Sequence, residues 1–259
     1  MLSIVVVSFN ARADLERCLE SLHATPPVHP HEVVLVDNHS TDDSAAAARR
    51  RADVRVIEND SNVGFAAANN IGIRASRGDL LLLLNSDTIV PPGALDRLVA
   101  ALDADPSVAV VGPRLVDAAG RAELSFGPMI SPLAEWRQKR LQRRQGQVER
   151  LTRIPREVDW VSGACLLVRR ADAEAVGLLD ERFFMYTEDV DFCASIRARG
   201  RKVRFVPEVE IVHLRGRSKA SARAETDRAY RRSQIAFYEK HHPLWAPLLR
   251  VYLALRGDA

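Results

Sequence analysis

The sequence predicts an α/β fold, a mainly parallel sheet flanked by helices, with a helical extension at the C-terminal end. Three observations predict it. Short Val-, Ile- and Leu-rich runs alternate with stretches of helical periodicity through the first half of the chain, as a sheet covered by helices reads in sequence. Residues 80–84 are five consecutive leucines, with none of the polar alternation of a half-exposed strand. Apolar residues make up 47% and charged residues 27% of the 259-residue chain. That mix belongs to an ordinary globular protein and excludes a disordered, collagen-like or disulfide-stapled one.

In order, residues 2–8 read as the first strand and 13–22 as a helix with Leu15, Leu19 and Leu22 on one face. After a proline-rich break, 33–37 form the second strand. Residues 41–51 form an alanine-rich helix with Asp42 and Asp43 in its first turn. Residues 54–57 give the third strand, 62–75 a helix interrupted by Gly72, and 80–84 the fourth strand. A helix over 94–102 and a strand over 108–111 follow. The second half is less regular. Residues 136–156 hold eight Lys/Arg and one Glu and read as a flexible or partly helical basic insertion. Residues 160–168 are strand-like, 189–199 helical, 203–206 and 209–213 two short strands, and 221–241 a charged helix. The apolar stretch 244–255 is broken by Pro247 and Arg250.

The net charge of +3 conceals an asymmetry: residues 1–130 carry 11 basic and 17 acidic side chains, residues 131–259 carry 26 and 17. A basic second half favours an anionic partner. Nucleic acid is not that partner, because no basic stripe is interleaved with stacking aromatics. Cys18, Cys165 and Cys193 form neither a disulfide framework nor a zinc site, so buried thiols in a reducing, cytoplasmic compartment are expected. The first residues suit a strand better than a secretion signal. No run approaches the ~18 apolar residues of a membrane span.

In an open α/β sheet, ligands bind beyond the carboxyl ends of the strands. Strand one delivers Ser8 and Asn10 there, strand two Asp37 and Asn38, and strand four Asn85, Ser86 and Asp87. Neither a G-x-G-x-x-G turn nor a P-loop is present. Asp37 suits a base or ribose hydroxyl, or else an N-cap for the next helix. Asp87, carried on a rigid strand, suits a hard divalent cation bridging phosphates. Glu188, Asp189 and Asp191 form a second acidic group, and His213, followed by Gly216 and Ser218, ends a late strand.

Six segments then occur in a familiar order: residues 3–10, 36–44, 62–72, 82–87, 183–193 and 213–218. Together they resemble the family-2 glycosyltransferases of the GT-A fold, a Rossmann-like architecture, and within them the bacterial rhamnosyltransferase-like branch. The resemblance implies an inverting transfer of a sugar, rhamnose being the first candidate, from a dTDP or UDP donor. The acceptor would be a hydroxyl of a cell-envelope glycan or lipid-linked saccharide. Ser8, Asn10, Asp37, Asn38, Asn62, Gly64, Asn69, Asn85 and Ser86 would surround the nucleotide. Asp87 and His213 would bind Mg²⁺ or Mn²⁺, with Asn85 standing where the family's D-x-D motif has its first Asp. Asp189 would be the catalytic base, its pKa raised by Glu188 or Asp191. Trp160 and Gly163 would support the acceptor side.

The implied organisation is a catalytic domain over 1–217 (nucleotide half 1–112, acceptor half 113–217) and an extension over 218–259. The apolar, arginine-flanked tail suits a membrane interface, or packing on the core or on a second copy. The competing readings are a non-catalytic nucleotide-sugar-binding protein and a sugar-nucleotide pyrophosphorylase. The latter lacks its expected Gly-rich, basic segment after strand one.

Overall fold

The structure, a computed structural model, describes residues 1–214 and 223–255; Gly216 and Ser218 lie outside them. Its centre is a nine-stranded sheet in the order β3-β2-β1-β4-β10-β6-β11-β5, with β8 paired to β11. Strands β1 (Leu2–Ser8), β2 (His31–Asp37), β3 (Val54–Glu58) and β4 (Leu80–Asn85) are mutually parallel. They are joined by α1 (Arg12–Ala24), α2 (Ser44–Arg49) and α3 (Phe65–Ala75). All seven residues of β1 are buried, the consequence of helices covering both faces. Leu15, Leu19 and Leu22 of α1 pack inward as their spacing requires.

The second half departs from the expected pattern in two places. Residues 160–168 are two strands, β9 (Trp160–Val161) and β10 (Cys165–Arg169). β10 runs antiparallel between β4 and β6 (Val108–Val116). The two short strands expected near the end are one, β11 (Lys202–His213), parallel to β6 and shifted in register between Val206 and Glu210. Pro207 sits in that shift, where a residue without an N–H is tolerated. The basic insertion is ordered as α5 (Pro132–Gln142) and α6 (Gln145–Leu151). Val148 is buried there, and the buried Arg114 pairs with Glu149 at 2.6 Å. The tail is helical, as expected of the C-terminal extension, and Pro247 is tolerated in its first helical turn.

Short pieces complete the chain: β5 (Thr88–Ile89), α4 (Ala94–Asp103), β7 (Phe126–Gly127), β8 (Arg156–Val158), α7 (Arg170–Ala175), α8 (Glu188–Ala198), α9 (Arg223–His241) and α10 (Ala246–Leu255). α9 drives Phe237 and Tyr238 into the core cluster that also holds Phe183, Phe192 and Phe205. Burying Phe237 contributes about 1.5–3 kcal/mol and fixes α9 against α8. All three cysteines are free and buried. Burial pushes the Cys18 thiol up to about 12, which makes it a packing residue rather than a nucleophile.

Candidate active site

The parallel register brings the strand ends level. Ser8 stands opposite Asp37, and Val7 opposite Asn85. Asp37 Oδ2 accepts the Ser40 N–H at 2.8 Å, so this carboxylate also organises the turn that follows it. Its Oδ1 is buried without a hydrogen-bond partner, as are Ser8 Oγ, Asn69 Oδ1 and Asn85 Oδ1. A buried polar atom without a partner costs about 1–3 kcal/mol. Four such atoms near the ends of three adjacent strands and on the neighbouring α3 are the signature of a ligand site.

Several of the residues expected around the nucleotide bond to one another. Asn38 donates to Asn62 Oδ1 at 2.7 Å and accepts from Asn59 Nδ2 and Val63 N–H, and Asn62 Oδ1 also accepts the Gly64 N–H. These amides fasten the 59–64 loop to β2. Gly64 has φ +88°, and a Cβ there would lie 2.5 Å from Phe184 O. The close approach that requires glycine is therefore to the 183–187 segment. Phe65 N–H, the next residue along, donates to that same Phe184 carbonyl at 2.6 Å. Asn10 is exposed and accepts the Thr41 N–H at 2.7 Å, closing the β1 turn on the β2 turn. Ser86 is buried just past β4.

Pairing of β5 with β11 sets Thr88 opposite His213. His213 Nε2 then lies 3.2 Å from Asp87 Oδ1, and its Nδ1 lies 3.1 Å from Glu123 Oε2. His213 is buried. A carboxylate behind the second ring nitrogen fixes the tautomer and orientation of a histidine that faces a cation. Glu123 was invisible in the sequence, because it lies in the irregular stretch after β6 with no pattern to mark it. Among the described residues, no group of three or more His, Cys, Asp or Glu side chains could hold a metal by itself. The oxygen and nitrogen of Asp87 and His213 fit a cation whose remaining positions come from a ligand's own oxygens.

Across the site, Asn85 N–H donates to Ala164 O at 3.0 Å, tying β4 to the β9–β10 turn. From that turn Gly163 N–H donates to Asp189 Oδ2 at 2.8 Å, and Val190 N–H donates to Oδ1 at 2.8 Å. Asp189 is the second residue of α8 and is half-buried. Burial raises its pKa while the two N–H groups oppose the rise. Glu188 is more deeply buried, its Oε2 is unpartnered, and its pKa stands well above the carboxylate range through burial and then the charge of Asp189. The expected like-charge repulsion thus acts chiefly on Glu188. Asp191 faces away: it binds Lys240 at 2.9 Å and His241 at 2.6 Å on α9. Trp160 is buried in the core, its ring N–H donating to Pro128 O at 2.9 Å. Before α8, Tyr186 and Thr187 both have left-handed backbone, φ +71° and +65°. Strain of this kind persists only where surrounding structure imposes it. Here Ser233 of α9 donates to Met185 O at 2.7 Å.

The sheet thus carries an acid-and-histidine pair and a second acid on one rim. Two solved structures share its fold. A mannosyltransferase from Pyrobaculum calidifontis, in complex with GDP-Man and Mn²⁺, superposes with a TM-score of 0.67 at 20% identity, over 96% of this chain and 68% of that one. GalNAc-T7 with UDP, GalNAc and Mn²⁺ gives 0.66 at 20% identity, over 91% and 48%. Residues 3–177 match the family described as Glycosyl transferase family 2. The chain is 33% identical to an N-acetylglucosaminyl-diphospho-decaprenol L-rhamnosyltransferase of Mycobacterium tuberculosis, over 99% of this chain and 92% of that protein. It is 25% identical to a low-salt glycan biosynthesis hexosyltransferase of Haloferax volcanii, over 82% and 66%. The chain belongs to glycosyltransferase family 2, on its rhamnosyltransferase-like branch, and is a glycosyltransferase.

Proposed function

We propose that the chain is an inverting transferase that moves a sugar, with rhamnose the first candidate, from a dTDP or UDP donor to a hydroxyl of a lipid-linked, cell-envelope saccharide. The observation that carries this reading is the fixed carboxylate of Asp189, held by Gly163 N–H one residue from the Ala164 carbonyl that binds Asn85. That linkage sets a base beside the donor-side strand end. The near-full-length similarity to the mycobacterial rhamnosyltransferase supports the choice of sugar and acceptor class. The free, buried cysteines suit a reducing, cytoplasmic setting.

In this reading Asp37 Oδ1, Ser8 Oγ, Asn69 Oδ1 and Asn85 Oδ1 take the hydrogen bonds they lack from the nucleotide and sugar. Asp87 and His213 would hold a divalent cation, Mg²⁺ or Mn²⁺, with Glu123 orienting His213, and the bound cation would supply positive charge to the departing diphosphate. Asp189 accepts the proton of the acceptor hydroxyl while its oxygen attacks the anomeric carbon. The anomeric C–O bond to the diphosphate breaks with inversion, and the nucleoside diphosphate leaves. Burial raises the pKa of Asp189, which makes it a better proton acceptor once ionised.

Titration calorimetry with UDP, TDP, GDP and ADP, each with Mn²⁺, Mg²⁺ or EDTA, tests the donor half. Metal-dependent binding confined to UDP or TDP is expected. Binding of none of the four would remove this reading.

A further inference from the structure

The last helix is apolar on two sides. α10 buries Ala246 and Leu253 against the body of the protein, and Arg250 is held off to one side by an ion pair with Glu239. Leu244, Trp245, Leu248, Val251, Tyr252 and Leu255 are each between 51% and 88% exposed. Their spacing of three and four residues makes one continuous stripe, which a helix of a water-soluble domain normally turns inward.

Beside it lies α5, from which no residue is buried. Its Leu133 and Trp136 are 55% and 57% exposed. A groove of about 390 Å³ runs between α5, α9 and α10, with Trp136, Tyr238, Trp245, Leu248 and Tyr252 in its walls. The charge beside it on α5 is mainly positive. Residues 132–144 carry Arg137, Lys139, Arg140, Arg143 and Arg144 against the single acid Glu135, and all five cations are exposed. Glu135 is engaged by Gln234 and Tyr238 of α9. The Arg140 guanidinium lies 5.6 Å over the Trp136 ring.

We infer that α5 and α10 together form a docking surface for an anionic phospholipid bilayer, with α10 lying along the headgroup boundary. Apolar area provides the attachment, Trp and Tyr suit the interface, and the α5 cations meet the negative surface potential. No described helix is long and apolar enough to cross a membrane, so the contact is peripheral. A second copy of the chain fits this surface poorly, because a two-fold pairing would bring the α5 cations of both copies toward one another. The inference rests on the proposed lipid-linked acceptor for why such a surface is used.

The test is co-sedimentation of the full chain with phosphatidylcholine vesicles, with and without phosphatidylglycerol, at low and high salt. The expected result is pelleting with the anionic vesicles, weakened about tenfold or more by omitting the anionic lipid or adding salt. Trp245→Ser combined with Leu248→Ser should lower the partition about tenfold, and Arg140→Glu combined with Arg143→Glu should abolish the preference for anionic lipid. Calorimetry with TDP or UDP on the same variants separates the two ideas, since retained nucleotide binding shows a folded donor site whatever the vesicles do. Equal pelleting of wild type and both variants, or none by the wild type, overturns the inference. So does a dimer that Trp245→Ser dissociates without any vesicle binding.

Discussion

Gly163 and Asp189 meet through a 2.8 Å hydrogen bond from the glycine N–H to Oδ2, and a Cβ at position 163 would come within 3.3 Å of Asp189 Cβ. The turn between β9 and β10 therefore sets where the carboxylate points. Asp189→Asn is expected to reduce transfer by about 10²–10⁴-fold while donor affinity stays within a few-fold. Gly163→Ala displaces rather than removes the base, so kcat should fall by roughly 10–100-fold with little change in donor KM. Steady-state kinetics and nucleotide titration check both, and an unaltered kcat in Asp189→Asn would exclude it as the base.

Burial of Glu188 and Asp189 fixes the sign of two pH dependences. An acid with a raised folded pKa binds its proton more tightly in the folded state. Its stabilising contribution is full below the unfolded pKa and is lost as pH rises through the folded one. Glu188→Gln should thus raise the melting temperature at neutral pH relative to wild type and flatten the stability profile above the ordinary carboxylate range. The acid limb of kcat/KM should report Asp189 at a pKa above the usual aspartate value of about 3.9. Thermal melts and rate profiles across acid to neutral pH measure these shifts.

The carboxylate behind His213 makes a prediction about affinity rather than chemistry. Glu123→Gln keeps the shape but weakens the hold on the ring, so the concentration of Mn²⁺ or Mg²⁺ needed for half-maximal activity should rise about 10–100-fold. Asp87→Ala should remove the difference between nucleotide titrations with and without EDTA.

Asp191 joins α8 to α9. Asp191→Asn leaves Lys240 and His241 short of their partner and should lower unfolding free energy by roughly 1–3 kcal/mol. Ser233→Ala, which only releases Met185 O, should slow transfer more than it destabilises. Chemical denaturation measured beside kcat separates the two effects.

The parallel half was legible in the sequence because strands buried on both faces write themselves as unbroken apolar runs, and the polar residue after each run marks the candidate site. Asp37, Asn85 and Asp87 were found that way. Asn38, Asn62 and Gly64 share the same motifs but bind one another or Phe184, a distinction that needs three dimensions. Glu123 lay in a stretch without periodicity. The basic insertion left flexible and partly helical readings open because α5 buries nothing and so leaves no apolar stripe. The interruption in β11 at Pro207 read as two strands because a register shift looks like an ending along one chain.

The insertion of β10 between β4 and β6 bears on synthesis. β4 is complete at residue 85, yet its neighbour on the far side begins only at Cys165. At about 5–20 residues per second, the ribosome leaves the five-leucine strand with an open edge for roughly 4–16 s. An unpaired apolar edge is a template for association between chains. The yield of folded protein should therefore depend on translation speed through residues 85–165, and slowing the ribosome there should favour aggregates over soluble product.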